Sequence, residues 1–113
     1  MADFIEVNIE KEDCSELSFV PLKEHANVNG FVHGGVLFYV CDELIGRYVT
    51  AKGIKGAAAD AGIHYYRPAI VGQKLTVKVS ERKVGKRLGT YLVTVTNEEG
   101  KIVADSMFTA AFG

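Results

Sequence analysis

The residues of this chain best placed to do chemistry are a pair of glycines and an aspartate two helical turns beyond them. The run from His25 to Gly35, with Asn27, Gly30, His33 and Gly34 inside it, leads straight into a helical pattern that carries Asp42. Glycines opening a helix leave backbone N–H groups without intrahelical acceptors and without a Cβ to hold a carbonyl or anion away. Asp42 sits among Phe38, Cys41 and Ile45 at helical spacing, a setting that suits a carboxylate acting as base or nucleophile. The pair supplies a holder for a carbonyl oxygen and a group to act on its carbon. That is acyl chemistry.

Each of these residues also has a plainer role. An aspartate inside a helix is commonly a solvated or ion-paired surface group, and it is the apolar neighbours and upstream glycines that argue otherwise for Asp42. Glu43 lies about 100° around the helix, and Arg47 at i+4 marks it as half of a structural pair. Asn27 and Asn29 in a Gly-containing segment are turn formers by default. His25, His33 and His64 have no carboxylate or Cys at metal-ligand spacing, so no metal is expected.

The elements that must position these groups follow from periodicity. Leu37, Val40, Cys41, Leu44, Ile45 and Tyr48 recur at helical spacing, predicting a helix over residues 34–51 ended by Lys52 and Gly53. Val36, Phe38, Tyr39 and Val49 widen its apolar stripe until little of it remains polar, so the helix is expected to be buried on most sides. Upstream, residues 4–9 alternate weakly, and residues 16–22 read as a strand stopped near Pro21. Downstream, Leu75, Val77 and Val79 alternate with polar residues, and Tyr91, Val93 and Val95 repeat the pattern. Asn97 to Gly100 reads as a hairpin loop with Gly100 at the position needing positive φ, and residues 102–112 make a final strand. One buried helix followed by four meandering strands implies an α+β fold, a curved antiparallel sheet of five or six strands wrapped around the helix. Such a sheet leaves edges open, so a dimer or larger assembly is expected.

Bulk properties narrow the function classes. At 113 residues, 48% hydrophobic and 24% charged, the chain reads as a single domain over residues 1–113, without repeats or linkers. A net charge of −1 gives no global field for nucleic acid or anionic membrane. The acidic opening is unlike a secretion signal and no apolar run has membrane-span length. Cys14 and Cys41 lack CxxC spacing and are expected to stay reduced, which suits a cytoplasmic protein.

The segment from His25 to Gly46 resembles the signature of hotdog-fold acyl-CoA thioesterases, in particular the phenylacetate-pathway (PaaI-like) branch. That pattern is Asn-x-x-Gly-x-x-His-Gly-Gly with Asp seven residues later, matched here by Asn27, Gly30, His33, Gly34, Gly35 and Asp42 without gaps. Residues 63–69 and 100–104 resemble the family's sheet, so the likeness covers nearly the whole chain. The resemblance implies a hotdog fold and hydrolysis of an acyl-CoA thioester, with coenzyme A part of the substrate and no separate cofactor. It implies that the thioester oxygen points at the N–H groups of Gly34 and Gly35, with Asp42 as general base or as nucleophile through an anhydride. Asn27 resembles the residue that orients water or thioester across the subunit boundary of a homodimer or homotetramer, and His33 shapes the loop. Because some hotdog enzymes use Glu on this helix, Glu43 remains a minor alternative to Asp42.

The substrate's remaining contacts are read from position. Ala58 falls where related thioesterases often carry Ser or Thr facing the site, so an acyl-CoA binder without turnover is the alternative reading. Arg82, Lys83, Lys86 and Arg87 crowd one turn around Gly85, either as a solvated loop or as a landing place for coenzyme A phosphates. Phe38, Tyr39, Tyr65 and Tyr66 make an aromatic pocket conceivable, and aryl or medium-chain acyl groups are the expected substrates.

Overall fold

A computed structural model describes residues 5–113. Helix α1 spans Gly34–Ala51, the bounds expected from its apolar spacing. Six strands, β1 (Asn8–Ile9), β2 (Glu16–Phe19), β3 (Gly56–Tyr65), β4 (Leu75–Val84), β5 (Leu88–Thr96) and β6 (Ile102–Phe112), form one antiparallel sheet in the order β1-β2-β4-β5-β6-β3. This is the α+β arrangement expected, one long helix laid on a six-stranded sheet.

Alternation explains why β4, β5 and β6 pair as they do. Leu75 and Val77, then Tyr91, Val93 and Val95, then Val103 and Phe108, turn inward and are fully or almost fully buried. They meet Val40, Cys41 and Leu44 of α1, each with no exposed surface. Burying a side chain such as Leu44 is worth about 1.5–3 kcal/mol of transfer energy, so this seam, rather than helix propensity, holds α1 in place. Gly100, at φ +78°, closes the β5–β6 hairpin, where its N–H donates to the Asn97 carbonyl at 3.0 Å.

The sheet departs from a simple meander. Strand β3 skips β4 and pairs with β6 at the far edge, from Gly56 opposite Phe112 to Tyr65 opposite Ala104, and β2 takes the place beside β4. The weakly alternating segment at residues 4–9 yields only the two residues of β1; its first position lies outside the described residues. Strand β2 ends at Phe19, short of the expected stop, and the chain then makes a single 3-10 turn over Lys23–His25.

Helix α1 is also less enclosed than its composition suggests. Gly35, Asp42 and Gly46 are exposed and Phe38 and Tyr39 only half-buried, so one apolar flank of the helix stays uncovered. Strand β3, made largely of Gly and Ala, is exposed at nine of its ten positions. Among the described residues no helix is long and apolar enough to cross a membrane.

Candidate active site

The loop that leads into α1 is built on hydrogen bonds from small side chains. His25 is buried, its Nδ1 accepting the Leu22 N–H at 2.9 Å, and its carbonyl accepts the His33 N–H at 2.9 Å. The Oδ1 of Asn27 accepts two backbone N–H groups, from Asn29 at 2.9 Å and from Phe31 at 3.2 Å. Gly30, at φ +83°, completes the turn by donating to the Asn27 carbonyl. Asn27 is therefore the turn former that its residue type implies. With its oxygen engaged, its NH2 is the group it can offer to a ligand. Asn27 lines a groove of about 400 Å³ together with Gly34, Leu37, Tyr65, Tyr66 and Arg67.

At the start of α1 the two glycines play different parts. The His33 carbonyl accepts the N–H groups of Val36 and Leu37, the first bonds of the helix, and the N–H groups of Gly34 and Gly35 precede them. A Cβ on Gly34 would lie 2.8 Å from Cζ and Oη of Tyr65, whose hydroxyl donates to the Gly34 carbonyl at 2.8 Å. Tyr65 thus fills the space that Gly34 leaves bare. Around Gly35 a Cβ would meet nothing within 4 Å. A side chain is therefore tolerated at Gly35 and not at Gly34.

Asp42 lies on the uncovered flank of the helix, in a cavity of about 310 Å³ lined by Gly35, Phe38, Tyr39, Ala58, Ala61 and Phe108. Burial among these groups, followed by the neighbouring Glu43 carboxylate, pushes the Asp42 carboxyl above the ordinary carboxylate range. Phe38 and Phe108 stack at a tilt with centroids 5.8 Å apart, giving the cavity an aromatic wall. Glu43 is the structural partner expected, bonded to Arg47 at 2.7 Å. Cys41, beside Asp42, is buried, and that burial raises its thiol pKa to about 12.

Other sequence-derived positions separate in space. Phe38 and Tyr39 border the Asp42 cavity, whereas Tyr65 and Tyr66 border the Asn27 groove, so within one chain the four do not form a single aromatic pocket. Ala58 lines the same cavity as Asp42, from the β3 side. Arg82, Lys83, Lys86 and Arg87 stand exposed around the β4–β5 turn, outside the linings of both cavities. His33 caps α1 through its backbone, with no capping bond from its side chain. Among the described residues no three His, Cys, Asp or Glu side chains converge as metal ligands.

Sequence reasoning missed Ala61 and Phe108 in the Asp42 cavity and the packing of Tyr65 on Gly34. The inward alternation of β6 could have pointed to Phe108. The other two depend on where β3 lies, which local spacing does not encode.

A family model described as the thioesterase superfamily matches residues 29–104. A putative esterase of Archaeoglobus fulgidus is 31% identical over 94 residues, 83% of this chain and 61% of that protein. The acyl-coenzyme A thioesterase PaaI of Escherichia coli is 32% identical over 72 residues, 64% of this chain and 51% of its own length. The chain thus spans between half and two thirds of these relatives. A hypothetical thioesterase of Streptococcus pneumoniae, solved with coenzyme A, superposes with a TM-score of 0.90 at 28% identity, covering 96% of this chain and 90% of that one.

Proposed function

Because the chain belongs to the thioesterase superfamily, with a PaaI-like hotdog fold, we propose that it hydrolyses acyl-CoA thioesters with Asp42 as the acting carboxylate. The observation that carries this reading is the placing of Asp42 in an apolar cavity, where partial burial and then the neighbouring Glu43 raise its carboxyl pKa. A carboxylate so displaced is a stronger base at neutral pH than a free one.

The step begins with the thioester oxygen at the N–H groups that open α1, where the helix dipole favours the negative charge of the tetrahedral intermediate. Asp42 takes a proton from water as the water oxygen bonds to the carbonyl carbon, or bonds to that carbon itself through an anhydride. The C–S bond then breaks and coenzyme A leaves as its thiol, with the proton held by Asp42 or, on the anhydride route, one from solvent; the acyl group leaves as a carboxylic acid, on the anhydride route after water has cleaved it from Asp42. Coenzyme A enters as part of the substrate and no separate cofactor takes part.

Geometry argues for two chains at each site. Gly34 and Asp42 are eight residues apart on one helix, about 12 Å at 1.5 Å per residue, whereas a reacting carbonyl must lie about 3 Å from each group that acts on it. The reading is therefore a homodimer or homotetramer in which Asn27 and the helix N-terminus of one chain meet Asp42 of another. The aromatic wall of Phe38 and Phe108 favours aryl or medium-chain acyl groups. The exposed cations Arg82, Lys86 and Arg87 suit the phosphates of coenzyme A.

The test is a panel of aryl and straight-chain acyl-CoAs assayed with a thiol reagent that reports free coenzyme A. Turnover by wild type is expected, with kcat at least about 10²-fold lower in Asp42→Asn while acyl-CoA binding persists. Glu43→Gln should change little. Near-full activity in Asp42→Asn would refute the mechanism. The second reading, an acyl-CoA binder without turnover, draws on Ala58, which brings a methyl rather than a hydroxyl to Asp42; binding without release of thiol from any substrate would support it.

A further inference from the structure

Tyr65 ends β3 beside the start of α1, held by the main chain on one side and by the helix on the other. Its backbone pairs with Ala104 of β6, and the next two residues, Tyr66 and Arg67, donate their N–H groups to the Val103 carbonyl at 2.7 and 3.2 Å. From that base the side chain crosses to the helix, where its hydroxyl donates to the Gly34 carbonyl at 2.8 Å. The approach requires glycine at position 34, since a Cβ there would stand 2.8 Å from Cζ and Oη and 3.1 Å from Cε1. Tyr65 is nonetheless 51% exposed, so core burial does not account for the contact.

The bond reaches one particular peptide unit. The Gly34 carbonyl and the Gly35 N–H belong to the same amide, and among the described residues no peptide is cis, so the two groups point in opposite directions across it. In a regular helix that carbonyl already accepts an N–H from the next turn, and the phenol takes its second lone pair. A hydrogen bond accepted at the oxygen draws electron density from the nitrogen and strengthens donation by the N–H, by about 10–30%. It also fixes the tilt of the first peptide plane of α1, where helix ends otherwise fray. The hydroxyl lies across the amide from the N–H, so it leaves the place of a thioester oxygen free. Desolvation, and then Cys41, raise the phenol pKa above its ordinary 10.0, so the donor keeps its proton through the neutral range.

We propose that Tyr65 is a positioning residue for the bound thioester carbonyl: through the Gly34 carbonyl, its hydroxyl orients and polarises the Gly34–Gly35 amide and makes the Gly35 N–H a stronger donor to the thioester oxygen. This rests on the reading that an acyl-CoA carbonyl docks at the start of α1. The benefit grows as the carbonyl oxygen gains charge, so it lowers the barrier to the tetrahedral intermediate more than it tightens substrate binding. Tyr65 acts through the amide and exchanges no proton in the reaction.

The test is Tyr65→Phe, which keeps the ring against Gly34 and removes only the donor, with circular dichroism and Tm as controls for folding. On an acyl-CoA that wild type hydrolyses, kcat should fall roughly 3- to 10-fold with KM nearly unchanged, less than the roughly 10²-fold lost with a direct oxyanion donor. A second readout needs no turnover. Benzoyl-CoA or octanoyl-CoA, isotope-labelled at the thioester carbonyl and bound to Asp42→Asn, gives a carbonyl stretch in difference infrared spectra. Adding Tyr65→Phe should move that band to higher wavenumber, and a ring-fluorinated tyrosine at position 65, a stronger donor, should move it lower. A band unmoved by either change, or an unchanged kcat in Tyr65→Phe, would overturn the proposal even with hydrolysis established. Loss of Tm with band and kcat unaltered would leave Tyr65 a structural residue only. A wild type that binds acyl-CoA without cleaving it would sink the hydrolytic reading alone, and the band shift would then decide for or against Tyr65. Failure to bind either thioester would overturn both.

Discussion

At Asp42 the carboxyl is held above the ordinary carboxylate range because the helix flank and the β3 side of the cavity partly desolvate it and the Glu43 carboxylate lies beside it, and that displacement sets two opposing pH dependences. Hydrolysis needs the charged form, so kcat/KM should fall as pH drops through a pKa above the usual 3.8. For stability the sign is reversed. The folded state binds this proton more tightly than the unfolded chain, so between the unfolded and folded pKa values stability is lost as pH rises. Asp42→Asn should therefore raise Tm at neutral pH, and the gain should vanish at pH below the unfolded value. An equal Tm for the two proteins at neutral pH would contradict the assigned desolvation. The two glycines should also part company. Gly35→Ala meets open space, so it should keep or raise stability, by up to about 1 kcal/mol, while slowing turnover. Gly34→Ala must displace the Tyr65 ring and its hydrogen bond, so it should lower Tm. The glycines and the aspartate were legible in sequence because their chemistry depends on local spacing. The difference between the glycines was not, because the residue that distinguishes them lies 31 positions away.

The helix was read to its ends because two local signals agree there: apolar side chains at helical spacing and glycines on either side. Strands β4, β5 and β6 were legible for a similar reason, since a sheet with one face on a core imposes alternation. Strand β3 carries almost no such signal. A run of Gly and Ala exposed along most of its length has neither a buried face nor bulky side chains to declare one. Its pairing with β6 is decided by the chain's return across the sheet, a tertiary choice, and the meander expected from strand order fails at that point. The same contrast predicts where mutations cost most. Leu44→Ala removes a side chain with no exposed surface from the seam between α1 and the sheet, and should cost about 2–5 kcal/mol in denaturant unfolding. Substitutions at Ala57 or Ala59, exposed on β3, should cost far less in an isolated protomer. A small effect at Leu44 would mean that the helix is not held by this seam.

For the whole molecule, the decisive feature is that the Asn27 groove and the Asp42 cavity are separate on one chain, Gly34 bordering the first and Gly35 the second. If each site takes Asn27 from one chain and Asp42 from another, the two residues need not be intact in the same polypeptide. Two defective proteins, Asn27→Ala and Asp42→Asn, should then cure one another. When they are co-expressed, random pairing puts about half of the dimers in mixed form, and each mixed dimer has one of its two sites wild type throughout. The mixture should recover about a quarter of wild-type activity per chain, although each parent alone is nearly dead. Recovery of nothing, with mixed dimers demonstrated by mass, would place both residues in the service of a single chain.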